Sequence, residues 1–435
     1  MFSTPLKLKM SPLTNKPISQ ILQSKTTLLT SITFIILFTS IFFLNFPLKS
    51  NPFSSTTLSS LTSNLFSTRN ESSYVAPSPT GLVENGSMSS DPPVKSYCDI
   101  FDGNWVYDDS DPVYGPGSCP FVGNSFNCFR SGRRDSSYFK YRWQPDGCDV
   151  PRFDGKKMME MLKGKRMVFV GDSLNRNMWD SLVCSLWAFN ITGTRVLKRD
   201  TMLIQIKDYD SSIILITAPF LVQQWKELPG STDRETPVEK LRIDLIHDAI
   251  SKYYNADFLI FNTGHWWNHN KVQNGENFFQ EGDVLHQKME VGDAYKIALN
   301  TWAQWVDNNV NKNKTQVFFV GYTATHFKGG DWNSGGTCDN ETKPISDEKL
   351  LEPYPWMMTA LETVISKMST PVTYLNITKL TDYRNDGHPS VYRHPGSKPR
   401  PGVVQDCSHW CLPGVPDSWN QLLYASLLLA SNSTN

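Results

Sequence analysis

The residues of this chain best suited to chemistry are a serine in Gly171-Asp172-Ser173 and an aspartate and a histidine in Asp406-Cys407-Ser408-His409. They follow the chain order Ser…Asp…His. These three side-chain types let a weak hydroxyl nucleophile attack an acyl carbon near neutral pH. The imidazole takes the hydroxyl proton, and the carboxylate fixes the imidazole tautomer and stabilises its cation. Asp406 and His409 are three residues apart, so a turn or helix start can bring carboxylate and ring together. Each motif also has a bland reading: Ser173 as the N-cap of a following helix, Asp406 as the head of an Asx-turn beside a satisfied histidine. Their joint occurrence makes acyl transfer the leading expectation.

Further candidates for oxyanion or substrate contacts surround these motifs. Gly171 relaxes the turn out of the apolar run Met167–Val170, and Asp172 sits beside the serine where a helix N-terminus offers backbone N–H groups to developing negative charge. Arg176 lies one turn further on and either steadies the site, contacts an acidic substrate or lies solvated on the helix face. Asn262, in Asn262-Thr263-Gly264-His265-Trp266-Trp267, carries an amide suited to an oxyanion. His265 is a possible second base without an acidic neighbour in sequence. Trp266 and Trp267 fit either a sugar platform or ordinary packing. Asp386-Gly387-His388 is a rival acid–imidazole pair, but Pro389 restricts the backbone of His388 to extended conformations, and a substrate contact or a structural turn are its two readings. The serine context is not Gly-x-Ser-x-Gly, against an α/β-hydrolase elbow. Cys407, His409 and Cys411 with His388 and His394 are zinc-ligand types, but no Cys-x-x-Cys pair accompanies them and no metal is expected.

The elements that must position these residues are readable from periodicity. Met167–Val170, Ser212–Thr217, Asp257–Asn262, Gln316–Gly321 and Val372–Asn376 read as strands. Leu174–Trp187, Asp293–Asn309, Pro355–Lys367 and Ser418–Ala430 read as helices. Short apolar strands separated by helices predict an α/β fold, a parallel sheet covered on both faces, with ligands at the carboxyl ends of its strands. Ser173 falls at one such end.

The 435 residues, 39% hydrophobic, are enough for a large core, and 42 basic against 42 acidic residues give no argument for nucleic-acid binding. The N-terminus reads as a different kind of segment. No residue between Lys25 and Lys49 is charged, and Leu28–Phe46 approaches the ~20 apolar residues that span a bilayer. Lys7, Lys9, Lys16 and Lys25 precede it, which predicts a single-pass type II signal anchor with the long C-terminal portion in the lumen, a cleaved signal peptide being the rival reading. The expected layout is a cytosolic tail at 1–27, a transmembrane anchor at 28–46, a Ser-, Thr- and Pro-rich stem at 47–96, a Cys-rich region at 97–152 and the main domain at 153–435. Sequons at Asn70, Asn85, Asn190, Asn313, Asn340, Asn376 and Asn432, and an even count of eight cysteines, fit an oxidising lumenal compartment, with the disulfide connectivity left open.

Cys98–Val106, Val170–Asn177, Phe261–Trp267 and Asp406–Trp419 together resemble the sequence blocks of the plant trichome birefringence-like family of polysaccharide O-acetyltransferases, with the trichome birefringence subgroup nearest. The resemblance runs from Cys98 to the C-terminus. It implies an SGNH/GDSL-like α/β core with a smaller disulfide-rich N-terminal lobe on a Golgi membrane anchor. It also implies a Ser173–His409–Asp406 triad that is acetylated on serine and passes acetyl to hydroxyls of cell-wall polysaccharide, pectin or xylan-type hemicellulose. The SGNH second-block glycine has no assigned counterpart here. No tightly bound cofactor is implied, but an acetyl donor is needed, either acetyl-CoA or a derived carrier, supplied directly or by an acetyl-supplying membrane protein. A non-catalytic pectin-binding bridging protein and an acetyl-esterase are the rival readings.

Overall fold

In the computed structural model, residues 98–198, 201–227, 238–394 and 403–432 are described. The signal anchor and stem expected at 28–96 lie outside them. Among the described residues no helix is long and apolar enough to cross a membrane.

In chain order the elements are a hairpin of β1 (Gly103–Tyr107) and β2 (Tyr141–Pro145), helix α1 (Gly155–Leu162), β3 (Arg166–Gly171), α2 (Ser173–Ala188), β4 (Thr194–Lys198), β5 (Thr201–Ile206) and β6 (Ser211–Thr217). Then come β7 (Val222–Glu227), β8 (Val238–Ile246), β9 (Phe258–Phe261), β10 (Phe279–Glu281), β11 (Val284–Leu285) and α3 (Val291–Asn309). The chain closes with β12 (Gln316–Val320), α4 (Trp356–Ile365), β13 (Val372–Leu375), α5 (Thr378–Asp382) and α6 (Val415–Asn432).

The central sheet runs β13-β12-β9-β3-β6-β5-β4. The strands expected from sequence, β3, β6, β9, β12 and β13, pair in parallel at its heart. Beyond β6 the sheet departs from the expected all-parallel form, because β5 and β4 add an antiparallel edge. A second sheet, β11-β10-β8-β7, was also not expected. Its longest member, β8, mixes charges with apolar residues (Val238-Glu239-Lys240-Leu241-Arg242-Ile243) and lies along α3, where Thr301 Oγ1 donates to Ile243 O.

Strand alternation divides the core in two. Val168, Val170, Ile216, Leu259, Phe261 and Phe319 face α3 and α4. Met167, Phe169, Leu215, Ile260 and Phe318 face α1, α2 and α6. Strands sealed on both faces in this way read as continuous apolar runs, which is why they were visible in sequence. Each fully buried Ile, Leu or Phe contributes about 1.5–3 kcal/mol relative to exposure.

Residues 98–152 pack on the main domain and share its core. Trp143 belongs to the same core as Phe169 and Trp410, and Trp105 Nε1 donates to Leu380 O at 2.7 Å. The cysteines pair as Cys98–Cys148, Cys119–Cys184, Cys128–Cys411 and Cys338–Cys407. Two of these bridges tie the N-terminal segment to α2 and to the segment just before α6, and two hold the chain on either side of His409. The thiols of Cys407 and Cys411 are thereby consumed, and no group of metal-ligand residues stands together among the described residues.

Candidate active site

Ser173 begins α2 directly after β3, but the helix is capped by Asp172, whose Oδ1 accepts from Leu174 N at 2.9 Å. The N-cap reading of Ser173 therefore falls to its neighbour, and the serine hydroxyl is free for another partner. That partner is His409: Nε2 and Oγ are 2.7 Å apart. On its other side His409 Nδ1 meets Asp406 Oδ2 at 2.8 Å and Oδ1 at 3.0 Å. Asp406 Oδ1 also accepts from the backbone N–H groups of Ser408 and His409, which closes the Asx-type turn that presents the ring. The Asx-turn reading of Asp406 and the chemical one thus coexist in the same residues, while the capping role belongs to Asp172.

The loop is held from several directions. Ser390 and Asp406 exchange backbone hydrogen bonds. Asn177, one turn along α2 from Ser173, accepts from Trp410 N at 2.8 Å and donates to Trp410 O at 3.1 Å, so the helix that carries the serine also grips the residue after His409. Phe126 lays its ring 5.5 Å from that of His409. Neither Asn177 nor Phe126 was singled out from sequence. Asn177 is one of several polar residues buried along the same helix, with Asn175, Asp180 and Ser181, so nothing in the sequence set it apart; for Phe126 no signal existed, because its position depends on the Cys128–Cys411 bridge.

Electrostatics fit a base on standby. Burial pushes the Asp406 carboxyl up, but the His409 ring, hydrogen bonds and Arg393, whose Nε is 3.6 Å away, together hold it well below the usual carboxylate range. Burial would lower the His409 imidazolium, and the Asp406 carboxylate outweighs it, leaving the group raised above 6.5. The arrangement can pull a proton from Ser173 Oγ and hold it on an ion-paired imidazolium.

The other candidates are placed as follows. Gly171 lies hard against Asn262, where a Cβ would stand 1.9 Å from Asn262 Oδ1 and 2.4 Å from its carbonyl oxygen. Asn262 accepts from Asp172 N at 3.0 Å and donates to Asp172 Oδ1 at 2.8 Å, so one Nδ2 hydrogen is committed and one remains. Gly171→Ala is accordingly expected to cost about 1–3 kcal/mol by overpacking and to lower turnover as Asn262 is displaced, checked by thermal unfolding alongside ester hydrolysis. His265 faces the site with Nε2 3.0 Å from Thr323 Oγ1 and its ring stacked 4.3 Å from Tyr322. Burial pushes it down to about 4, so it stands neutral beside His409. Arg176 is not in the wall of the cleft: its guanidinium is 5.8 Å from the Phe126 ring centre, beside Gly123 and Asp180. His388 does not reach the cleft either. It is buried behind His409, stacked on Trp410, which sets aside the substrate-contact reading in favour of the structural one.

A cleft of about 680 Å³ opens over Ser173 and His409. Trp266 and Trp332 line it, with Lys271 Nζ 4.8 Å from each ring, while Trp267 is buried in the core and donates to Thr263.

Residues 150–426 match the PC-Esterase family, described as a GDSL/SGNH-like acyl-esterase family found in Pmr5 and Cas1p, and residues 96–149 match the PMR5 N-terminal domain. The chain is 56% identical over 351 residues to protein trichome birefringence-like 4 of Arabidopsis thaliana, covering 77% of this chain and 76% of that one. It is 49% identical to Arabidopsis protein trichome birefringence, with 77% and 57% covered, and 49% identical to protein trichome birefringence-like 1, with 76% and 62% covered. The chain thus spans about three-fifths of the length of the last two relatives. On this match, and with a serine, a histidine and an aspartate joined at one sheet edge, the chain belongs to the PC-Esterase family of GDSL/SGNH-like acyl-esterases and trichome birefringence-like proteins, a family of acyl-transfer and acyl-ester chemistry.

Proposed function

We propose that this chain is a polysaccharide O-acetyltransferase that works through an acetyl-serine intermediate. The observation that carries the reading is the unbroken Ser173–His409–Asp406 chain of hydrogen bonds opening onto a wide, aromatic-lined cleft. His409 takes the proton of Ser173 Oγ as the oxygen attacks the carbonyl carbon of an acetyl donor. The proton then passes to the leaving group, and the donor departs. In the second half an acceptor hydroxyl, deprotonated by His409, attacks the acetyl-serine and restores Ser173. The free Nδ2 hydrogen of Asn262 and the N-terminus of α2 supply donors for the oxyanion of each tetrahedral intermediate. The donor is acetyl-CoA or a carrier derived from it, and no bound cofactor is required by this scheme.

The acceptor proposed is a cell-wall polysaccharide of the pectin or xylan type, met in the Golgi lumen by a domain on a type II membrane anchor. Indole faces beside a cation are suited to the faces and polar rims of sugar rings. Trp332→Ala is expected to raise KM for a polymeric acceptor about 3- to 10-fold, the loss of one stacking contact of about 0.5–1.5 kcal/mol, while kcat for a small acetyl ester stays unchanged.

Hydrolysis is the second reading, favoured by the esterase character of the family and by the partial exposure of His409 in the open cleft. Incubation with an acetyl donor and polysaccharide oligomers, scoring acetylated sugar against free acetate, separates the two. Predominant sugar acetylation is the expected outcome. Acetate release alone would establish an esterase, and polymer binding with neither product would establish a binding protein.

A further inference from the structure

Behind His409 and outside the cleft wall, two imidazoles touch: His326 Nδ1 and His388 Nε2 are 2.7 Å apart. Their outer nitrogens both meet carbonyl oxygens. His388 Nδ1 lies 2.7 Å from His409 O, and His326 Nε2 lies 2.9 Å from Asp382 O. These are hydrogen-bond lengths, shorter than the ~3.3–3.6 Å of a C–H···O contact, so the atoms facing the oxygens are nitrogens. A carbonyl oxygen only accepts, and each outer nitrogen must therefore carry a proton. The inner N···N contact requires one proton between the rings. Two neutral imidazoles hold two N-bound protons, and this arrangement needs three.

We infer that His326 and His388 form a buried imidazole–imidazolium pair, carrying one positive charge, that clamps the main chain of His409 and positions its ring. The charge resides on His326, whose Nε2 is 3.6 Å from the Asp382 carboxylate. His388 remains the neutral member: burial, and then the neighbouring His326 charge, push it down, and its ring stacks 4.1 Å from that of Trp410. Other charged groups face the pair. Arg133 Nη1 donates to His388 O, the Arg384–Asp386 ion pair lies on the preceding turn, and Asp406 and His409 stand on the loop being held. The pair grips that loop a second time through the His326 backbone N–H, which donates to Cys407 O at 3.1 Å. Two carbonyls of the base-bearing loop are thus taken by the two histidines, one by a main-chain donor and one by a ring.

The positioning role rests on the acetyl-transfer reading only in making His409 the base; the proton count does not depend on it. Nitrogen-15 histidine NMR of the unaltered full chain at pH 7.5, where a free imidazole of pKa ~6.5 is mostly neutral, tests the count. The expected spectrum assigns both ring nitrogens of His326 as protonated, identified by loss of those signals in His326→Gln. A single protonated nitrogen on His326 would overturn the pair. The clamp is tested on His388→Asn and His326→Gln, each with its thermal midpoint recorded. The low-field proton shared by His409 Nδ1 and Asp406, visible without any turnover, should shift or broaden. Turnover of a small acetyl ester should fall roughly 10- to 100-fold at unchanged KM, as for a misplaced catalytic group. An unmoved His409 proton in either folded variant would overturn the positioning role. An unaltered chain that shows the His326 signature yet turns over no ester would count against the acetyl-transfer reading and leave the pair standing.

Discussion

Ser173→Ala is expected to lower turnover of an acetyl ester by roughly 10⁴- to 10⁶-fold while leaving the protein folded. The size follows from the scheme: with no Oγ there is no acetyl-serine, and the remaining groups offer only binding and oxyanion stabilisation. The folding half of the prediction follows from local structure. Asp172, not Ser173, caps α2, and the side-chain hydrogen bond lost with Oγ is the one to His409. A cap lost at this point would cost about 1 kcal/mol, and here the cap is retained. The thermal midpoint should therefore stay close to that of the unaltered protein. Steady-state kinetics and thermal unfolding on one preparation check both halves.

Asp406→Asn should be nearly as severe for a different reason, lowering turnover roughly 10⁴-fold. The carboxylate accepts from His409 Nδ1, from His409 N and from Ser408 N, so it sets both the tautomer and the turn. An amide at that position can donate to Nδ1 and hold the ring with its proton on Nε2, the nitrogen that must be bare to receive the Ser173 proton. The pH profile carries the sign. In the unaltered chain the carboxylate outweighs burial and raises His409, so the acid limb of kcat/KM should lie above pH ~6.5, the free imidazole value. Without the carboxylate, burial dominates and the limb of the residual activity should move to lower pH. A limb that stays put would show that some group other than His409 titrates.

Four of the five parallel strands, β3, β6, β9 and β12, were legible because they are buried on both faces, and the edge strand β13 and the four long helices were legible from their apolar residues and length. The placement of Ser173 at a strand end followed directly. The antiparallel edge at β4 and β5 was not legible, since its exposed Val196 and Leu197 break the inside–outside alternation. The sheet built on β8 was hidden for a similar reason, its charges masking strand character. At the site, the meeting of Ser173, His409 and Asp406 could be read from residue types, but its support could not. Phe126, Asn177 and His326 reach His409 or its loop through long-range pairings, and no local pattern announces a contact made by a disulfide such as Cys128–Cys411. Arg176 and His388 went the other way: both looked chemical in sequence, yet one lies against Phe126 and the other in the core behind the base.

The central claim is that acetyl passes through Ser173. The direct measurement is mass spectrometry of the active-site peptide after brief exposure of the protein to an acetyl donor, before and after adding polysaccharide oligomers. The account predicts one added acetyl group on Ser173, absent in Ser173→Ala and lost to the sugar when acceptor is supplied. Acetylated sugar formed while Ser173 stays unmodified, or formed equally well by Ser173→Ala, would contradict it.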